Sequence, residues 1–239
     1  MSSYVLNAAL TVVIVGTVLL AAGAEAQERK TPYQCGEVLY ADNFTGGLRN
    51  WVVEGETPQV KDGAMEIDTA EGFTAWFRER LAADVMIEYQ VRVIDADGPN
   101  DRVSDLNCFW MASDPKNPDD LFAGSEERGG IFRNYDPLRL YYVGYGGNNN
   151  TTTRFRRYPR VDETMLGEYT DKKHLMEANK LYTIQLVVFG DLVQYIMNGE
   201  VLFEYRDPEP LKSGHFGIRT VKNHMKVYNF KVYPLEASE

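Results

Sequence analysis

The chain has 239 residues, a formal net charge of −10 and 44% hydrophobic residues. The acidic balance argues against nucleic acid as a partner, because proteins that bind nucleic acid present a basic face. The sequence has no G-x-S-x-G, H-E-x-x-H, P-loop or Rossmann glycine pattern, so serine hydrolases, zinc proteases and nucleotide-binding enzymes are not supported.

The first 26 residues are predicted to be a secretory signal peptide. Ala8–Ala24 is a run of small and apolar residues, and Ala24-Glu25-Ala26 fits a small-x-small cleavage site. An uncleaved membrane anchor is the alternative, and it would be the only contact with a membrane. We therefore expect a secreted or periplasmic protein with one all-β domain over residues 27–239.

Apolar and polar residues alternate along much of the remaining chain, as is typical of β-strands. Asp62-Gly63 and Asn198-Gly199 separate such segments and predict tight hairpin turns. Many short strands with turns between them favour a β-sandwich or jelly roll. The predicted strands include Val38–Phe44, Trp51–Val53, Gln59–Lys61, Ala64–Asp68, Phe73–Phe77, Val85–Val93, Tyr182–Val188, Leu192–Met197, Val201–Tyr205, and a closing pair His215–Thr220 and Met225–Pro234.

Two polar segments interrupt this pattern. Ser113–Arg133 is predicted to be a long loop with one helical turn, and Arg160–Ala178 to be a second polar insertion. Loops of such length are uncommon unless they are functional or mobile. The two cysteines, Cys35 and Cys108, leave open a disulfide or two buried free thiols.

The segment Leu138–Tyr158 carries the clearest chemical signal. It begins as an aromatic strand and continues into amides, hydroxyls and arginines, namely Asn148, Asn149, Asn150, Thr151, Thr152, Thr153, Arg154, Arg156 and Arg157. Amides and hydroxyls match sugar hydroxyl groups, and arginine forks match carboxylates. The predicted partner is therefore an oligosaccharide or polysaccharide, and the arginines favour an anionic one.

Two further groups extend this candidate site. Asn100, Asp101, Arg102 and Asn107 precede an apolar strand whose Trp110 is either a sugar platform or a core residue. The second group is Arg219, Lys222, Asn223 and His224, with a solvated surface hairpin as the alternative. Oxygen ligands at alternating positions in Asp95–Asp101 resemble a calcium loop but lack the downstream bidentate acid, and no other cofactor is expected.

The opening segment Tyr40–Phe77 and the closing segment Ser213–Leu235 resemble the first and last strands of concanavalin A-like lectin and glucanase sandwiches. With the Leu138–Tyr158 tract, they make the chain similar to an exported bacterial family of that superfamily, found beside polysaccharide-degrading enzymes. The resemblance implies a single jelly-roll domain with a concave sheet that faces carbohydrate. It implies no particular catalytic residue.

Three functions remain open. In a polysaccharide lyase acting on a uronic-acid glycan, Arg154, Arg156 or Arg219 with Asn149 would neutralise the carboxylate. Tyr142, Tyr145 or His224 would then act as base and acid, with arginines lowering the tyrosine pKa. A glycoside hydrolase would use Glu66 with Asp68 or Glu71, which match an E-x-D-x-x-E pattern. The third function is glycan binding without catalysis.

Overall fold

The computed structural model describes residues 31–160 and 164–238, so the predicted signal peptide lies outside the described residues. These residues form an antiparallel β-protein with a few helical turns. The strands are β1 Tyr33–Cys35, β2 Tyr40–Asp42, β3 Trp51–Glu54, β4 Gln59–Lys61, β5 Ala64–Phe77, β6 Leu81–Ala82, β7 Val85–Val93, β8 Leu106–Ser113, β9 Arg139–Gly146, β10 Thr152–Tyr158, β11 Thr164–Tyr169, β12 Leu181–Phe189, β13 Leu192–Met197, β14 Glu200–Arg206 and β15 Ser213–Ala237.

The strands form two layers that share β15, in the order β11-β10-β9-β8-β15-β7-β12-β13-β14. The first half of β15 pairs with β8, and the second half pairs with β7. We call these layers the first sheet, from β8 to β11, and the second sheet, from β7 through β12 to β14. Their inner faces pack together, since Phe155 of β10 lies 5.6 Å from Phe203 of β14 between ring centroids. The predicted all-β jelly roll is confirmed.

Two predicted breaks in strands are wrong. Ala64–Phe77 is one strand, and Ser213–Ala237 is also one strand, so its two halves do not pair with each other. The two long strands run side by side, with an irregularity between Val221 and Asn223. Lys222 has a φ of 39° there, which marks a bulge that bends the strand from one sheet to the other.

The two predicted hairpin turns are present. Asp62 and Gly63 have φ values of 53° and 70°, and Asn198 and Gly199 have 51° and 80°. Positive φ at both central residues is the geometry of a type I′ turn, which these residue types favour. By contrast, the predicted polar insertion Arg160–Ala178 contains strand β11, Thr164–Tyr169, which pairs with β10.

The predicted long loop between β8 and β9 folds into short helical turns at Leu121–Gly124, Ser125–Arg128 and Phe132–Tyr135. It covers the outer face of the first sheet and buries a second apolar cluster there. Arg128 anchors the loop, because its Nε and Nη2 atoms donate to Oε1 of Glu54 at 3.0 and 2.7 Å. We call residues 114–138 the covering segment.

The two cysteines are free. Cys108 is buried in the interior core, as expected for a free thiol, whereas Cys35 is exposed. The disulfide alternative is therefore wrong.

Candidate functional site

Four polar or charged side chains come together on the outer face of the first sheet, beneath the covering segment. Asn107 pairs across the strands with Arg219 on one side and with Gly144 on the other, and Tyr142 pairs with Arg156. Because successive side chains of a strand point to opposite faces, all four lie opposite the interior core. We call Asn107, Tyr142, Arg156 and Arg219 the outer-face cluster.

Arg156 is the unpaired member of the arginine tract. Arg154 forms an ion pair with Glu168, and Arg157 donates from Nε to Asp207 at 2.7 Å. Arg156 is 8% exposed, and within residues 31–160 and 164–238 its Nε atom has no hydrogen-bond partner and no carboxylate pairs with it. A buried charge without a partner is costly, so this guanidinium is suited to an anionic ligand.

Arg219 is a second buried arginine without a carboxylate partner among the described residues. It is 2% exposed and donates from Nη1 to the carbonyl of Gly130 at 3.0 Å. Its guanidinium carbon lies 4.6 and 4.9 Å from the ring centroids of Phe132 and Tyr135, where cation–π attraction holds it. Burial lowers the Arg219 pKa, although the neighbouring tyrosines oppose that change.

The Tyr142 phenol lies over Gly144. A Cβ atom at Gly144 would be 2.4 Å from the Tyr142 hydroxyl and 3.2 Å from Oδ1 of Asn107, so these two polar atoms converge above a residue that has no side chain. Burial raises the Tyr142 pKa above its ordinary value, although Arg219 and Arg156 act in the opposite direction. The predicted lowering of this pKa is therefore wrong, and the phenol keeps its proton.

Unsatisfied polar atoms are concentrated here. Oδ1 of Asn107, Nε of Arg156 and the hydroxyl of Tyr158 are buried and find no hydrogen-bond partner among the residues that the structure describes. The Tyr158 ring lies 5.9 Å from the Tyr142 ring between centroids. Since most buried polar atoms in proteins are hydrogen-bonded, a group of such atoms on one face points to a ligand site.

His224 belongs to a different cluster. Its Nδ1 lies 2.8 Å from Oδ1 of Asp101, and its Nε2 lies 2.9 Å from Oε1 of Glu66, which Lys226 also contacts at 3.1 Å. Burial lowers the His224 pKa, but the hydrogen bonds that the ring donates to Glu66 and Asp101 outweigh burial and raise the pKa overall. Both ring nitrogens are engaged by carboxylates, so His224 is not free to act as a base on the outer face.

Two predicted site residues belong to the interior core instead. Trp110 is fully buried and stacks on Phe155 with a 12° angle between ring planes. Tyr145 is buried and donates its hydroxyl to the carbonyl of Leu175 at 2.8 Å. The prediction of a sugar platform at Trp110 and of a catalytic phenol at Tyr145 is wrong, because both rings pack in the interior core and face away from the outer-face cluster.

The asparagine tract builds a turn. Asn148, Asn149 and Asn150 have φ values of 52°, 56° and 58°, a left-handed conformation that asparagine tolerates better than most residues. Asn148 donates to Thr152, and the Asn150 amide bonds both backbone groups of Met176. These two amides hold the loop in place, so their predicted contact with sugar is not supported.

Arg102 connects the mid-chain turn to β15. Its Nη1 donates to Oδ1 of Asn149 at 2.9 Å, and its Nε donates to the carbonyl of Lys222 at 2.9 Å. Asn223 is buried and donates to the carbonyls of Arg102 and Ser104. Lys222 is exposed on the bulge. Lys222 and Asn223 therefore shape the end of the first sheet and lie outside the outer-face cluster.

The predicted hydrolase and calcium residues lie near His224. Glu66 and Asp68 face away from the core, as strand alternation predicts, and Glu71 is exposed beyond them. The His224 hydrogen bond and Lys226 keep the Glu66 pKa below its ordinary value, which is unsuited to a general acid. In the predicted calcium loop, Asp101 accepts from the backbone of Ala96 and Gly98. Calcium binding stays a prediction.

Comparison with solved structures identifies the fold. A Bacillus subtilis protein of unknown function with a galectin-like fold matches with a TM-score of 0.72 and 17% identity, over 86% of this chain and all of that chain. Carbohydrate-binding module CBM66 from Bacillus subtilis has a TM-score of 0.54 and 12% identity, over 77% and 95%. An endo-β-1,3-glucanase from Pyrococcus furiosus has a TM-score of 0.59 and 10% identity, over 84% and 95%.

These neighbours show the jelly-roll fold that the resemblance implied. No curated protein matches the chain in sequence. The described residues contain no helix that is long and apolar enough to cross a bilayer. Residues 67–230, more than half of the chain, match one family, and the chain therefore belongs to the family described as Domain of unknown function (DUF6250).

Proposed function

We propose that this protein binds an acidic saccharide at the outer-face cluster, with a sugar carboxylate held by Arg156 and Arg219. The observation that carries the proposal is the presence of two buried guanidinium groups on one face, neither paired with a carboxylate of the described residues. The chain as a whole is acidic, with a net charge of −10. The two arginines therefore form a local positive site, which favours one bound anion.

The fold supports a saccharide as the ligand that bears the carboxylate. The similar solved structures include a carbohydrate-binding module and a glucanase. The Asn107 amide oxygen can accept from a sugar hydroxyl, and the Tyr142 phenol can donate to one. The half-buried ring of Phe132, whose centroid lies 5.7 Å from that of Tyr142 and 4.6 Å from the Arg219 guanidinium carbon, offers flat apolar surface beside the arginines.

The test is calorimetric binding of the protein to oligogalacturonate, oligomannuronate and oligoglucuronate. We expect at least one to bind, and Arg156→Gln to weaken it by about tenfold or more, because a charge-assisted hydrogen bond contributes about 1.5–3 kcal/mol. Arg154→Gln is the matched control, since Arg154 lies on the same face two residues away and is paired with Glu168. Equal effects of the two substitutions would refute the site.

β-Elimination of the bound uronate is the second candidate function. The favouring observation is a Tyr142 phenol that keeps its proton beside both arginines, which suits it to protonate the leaving oxygen. Elimination also requires a base, and among the described residues of the outer-face cluster none is suited to that role. Ultraviolet absorbance of unsaturated ends separates the two functions: its appearance with a bound uronate, and its loss in Tyr142→Phe, would establish elimination.

A further inference from the structure

A polar cavity of about 450 Å³ lies beside His224, outside the outer-face cluster. This volume is within the range of small-molecule sites. Its polar wall carries both hydrogen-bond acceptors and donors, which come from Glu56, Thr57, Gln59, Lys61, Glu66, Asp68 and Asn100. Pro58 and Ala70 add small apolar surface.

The back wall of this cavity is organised by hydrogen bonds. Glu66 is oriented by His224 at 2.9 Å and by Lys226 at 3.1 Å, and Asp68 accepts from the Asn100 amide at 2.9 Å. Each carboxylate retains lone pairs beyond these contacts, because a carboxylate accepts about four hydrogen bonds. The wall thus presents fixed acceptors, with the Lys61 ammonium and the Gln59 amide as donors.

The charges of the wall distinguish this cavity from the outer-face cluster. Three carboxylates, Glu56, Glu66 and Asp68, face it with one lysine, Lys61, so a sugar carboxylate would be repelled. His224 and Lys226 offset the charge of Glu66, which removes most of the attraction for a cation. A hydroxyl-rich, uncharged ligand fits the remaining mixture of donors and acceptors.

One short segment, residues 100–105, leads from the cavity wall towards the outer-face cluster. Asn100 lines the cavity, Asp101 holds His224, and Arg102 contacts Asn149 and the bulge of β15. Since consecutive Cα atoms are about 3.8 Å apart, Asn100 and Arg102 are separated by no more than about 7 Å. The Asp105 partner of Arg102 in turn acts electrostatically on both Arg219 and Tyr142.

We propose that this cavity is a second saccharide subsite, which takes an uncharged sugar residue of the same glycan whose acidic residue binds the outer-face cluster. The identity of the ligand as a glycan rests on the proposed function. The cavity itself does not, since its chemistry is read from its own residues. The complete ligand would then be a heteropolysaccharide that contains both acidic and neutral sugars.

The chain has three histidines, so His224 offers a direct spectroscopic signal. We would record the imidazole nuclear magnetic resonance signals of the protein, assign His224 with His224→Gln, and titrate xylotetraose, mannotetraose, cellotetraose and galactotetraose. At least one of them should shift the His224 signals saturably and leave those of His174 and His215 unchanged. A tetramer of glucosamine serves as the cationic probe.

Asp68→Asn should weaken that binding by about tenfold, because it removes a charged acceptor from the cavity wall. Glu71→Gln is the matched control on the same strand, where an exposed carboxylate outside the cavity is neutralised, and it should change affinity by less than about twofold. Arg156→Gln should leave the binding of the uncharged probe unchanged, and this result separates the cavity from the outer-face cluster.

Three outcomes would overturn the proposal. The first is that no uncharged tetrasaccharide shifts the His224 signals. The second is that Asp68→Asn binds as tightly as the unsubstituted protein. The third is that the glucosamine tetramer binds and no uncharged probe does, which would identify a site for amines. Failure of acidic glycans to bind at Arg156, with binding of an uncharged probe at His224 retained, would refute the proposed function and the link to one glycan, and would leave the cavity as a site for uncharged sugars.

Discussion

Arg102 donates a hydrogen bond from Nη1 to Oδ1 of Asn149 at 2.9 Å, and through this contact the mid-chain turn is joined to the last strand. The same guanidinium reaches the carbonyls of Val221 and Lys222 and forms an ion pair with Asp105. The asparagine turn and the bulge of β15 are therefore neighbours at one end of the first sheet.

Arg102→Ala should lower the free energy of unfolding by about 1–2 kcal/mol, because several hydrogen bonds to one charged group are lost while a partly exposed site lets water replace some of them. Urea denaturation measures the change. Arg206→Ala is the control, since the Arg206–Asp191 pair is mostly exposed and should contribute less than about 0.5 kcal/mol. Similar losses in both variants would contradict a connecting role for Arg102.

Gly144→Ala should reduce the affinity for the acidic glycan by about tenfold. The new methyl group would meet the Tyr142 hydroxyl at 2.4 Å and displace it from Asn107. Gly147→Ala is the matched control, because its methyl group would meet Thr152 at 3.4 Å, an ordinary contact. Calorimetry measures the affinity of both variants, and circular dichroism verifies that they are folded. Unchanged binding in Gly144→Ala would speak against a role for Tyr142.

The contribution of His224 to the free energy of unfolding should depend on pH. Its folded-state pKa is raised by Glu66 and Asp101, so protonated His224 stabilises the fold. This contribution is complete below the unfolded value of about 6.5 and is lost as the pH rises through the higher folded-state pKa. The stability difference between the unsubstituted protein and His224→Gln should therefore be larger at about pH 6 than at about pH 9. A difference that grows with pH would show that the neutral ring is preferred.

The two thiols should differ in reactivity. Burial raises the pKa of Cys108 to about 12, and the side chain is enclosed in the core, whereas Cys35 is exposed. Because the thiolate is the reactive form, we expect Ellman's reagent to modify Cys35 in the folded protein and Cys108 only after denaturation. Cys35→Ser should abolish the reaction of the folded protein. Rapid reaction of that variant would contradict the burial of Cys108.

Local patterns in the sequence were sufficient for most of the fold. The turns at Asp62-Gly63 and Asn198-Gly199 could be predicted because the preference for positive φ resides in those residues themselves. The break predicted near Val221–His224 was wrong for a related reason. A polar bulge inside a long strand has the same composition as a turn. Only the pairing of β15 with β5 on both sides of the bulge distinguishes the two.

The candidate site was only partly predictable. The sequence by itself determined an all-β chain that carries arginines, amides and tyrosines suited to a saccharide. Tertiary structure decided which of them are available, because ion pairs with the distant residues Glu168 and Asp207 occupy Arg154 and Arg157, whereas no carboxylate of the described part of the chain pairs with Arg156. It also decided that Tyr142 stays protonated and that Trp110 lies in the core, since burial depends on contacts between residues far apart in the chain.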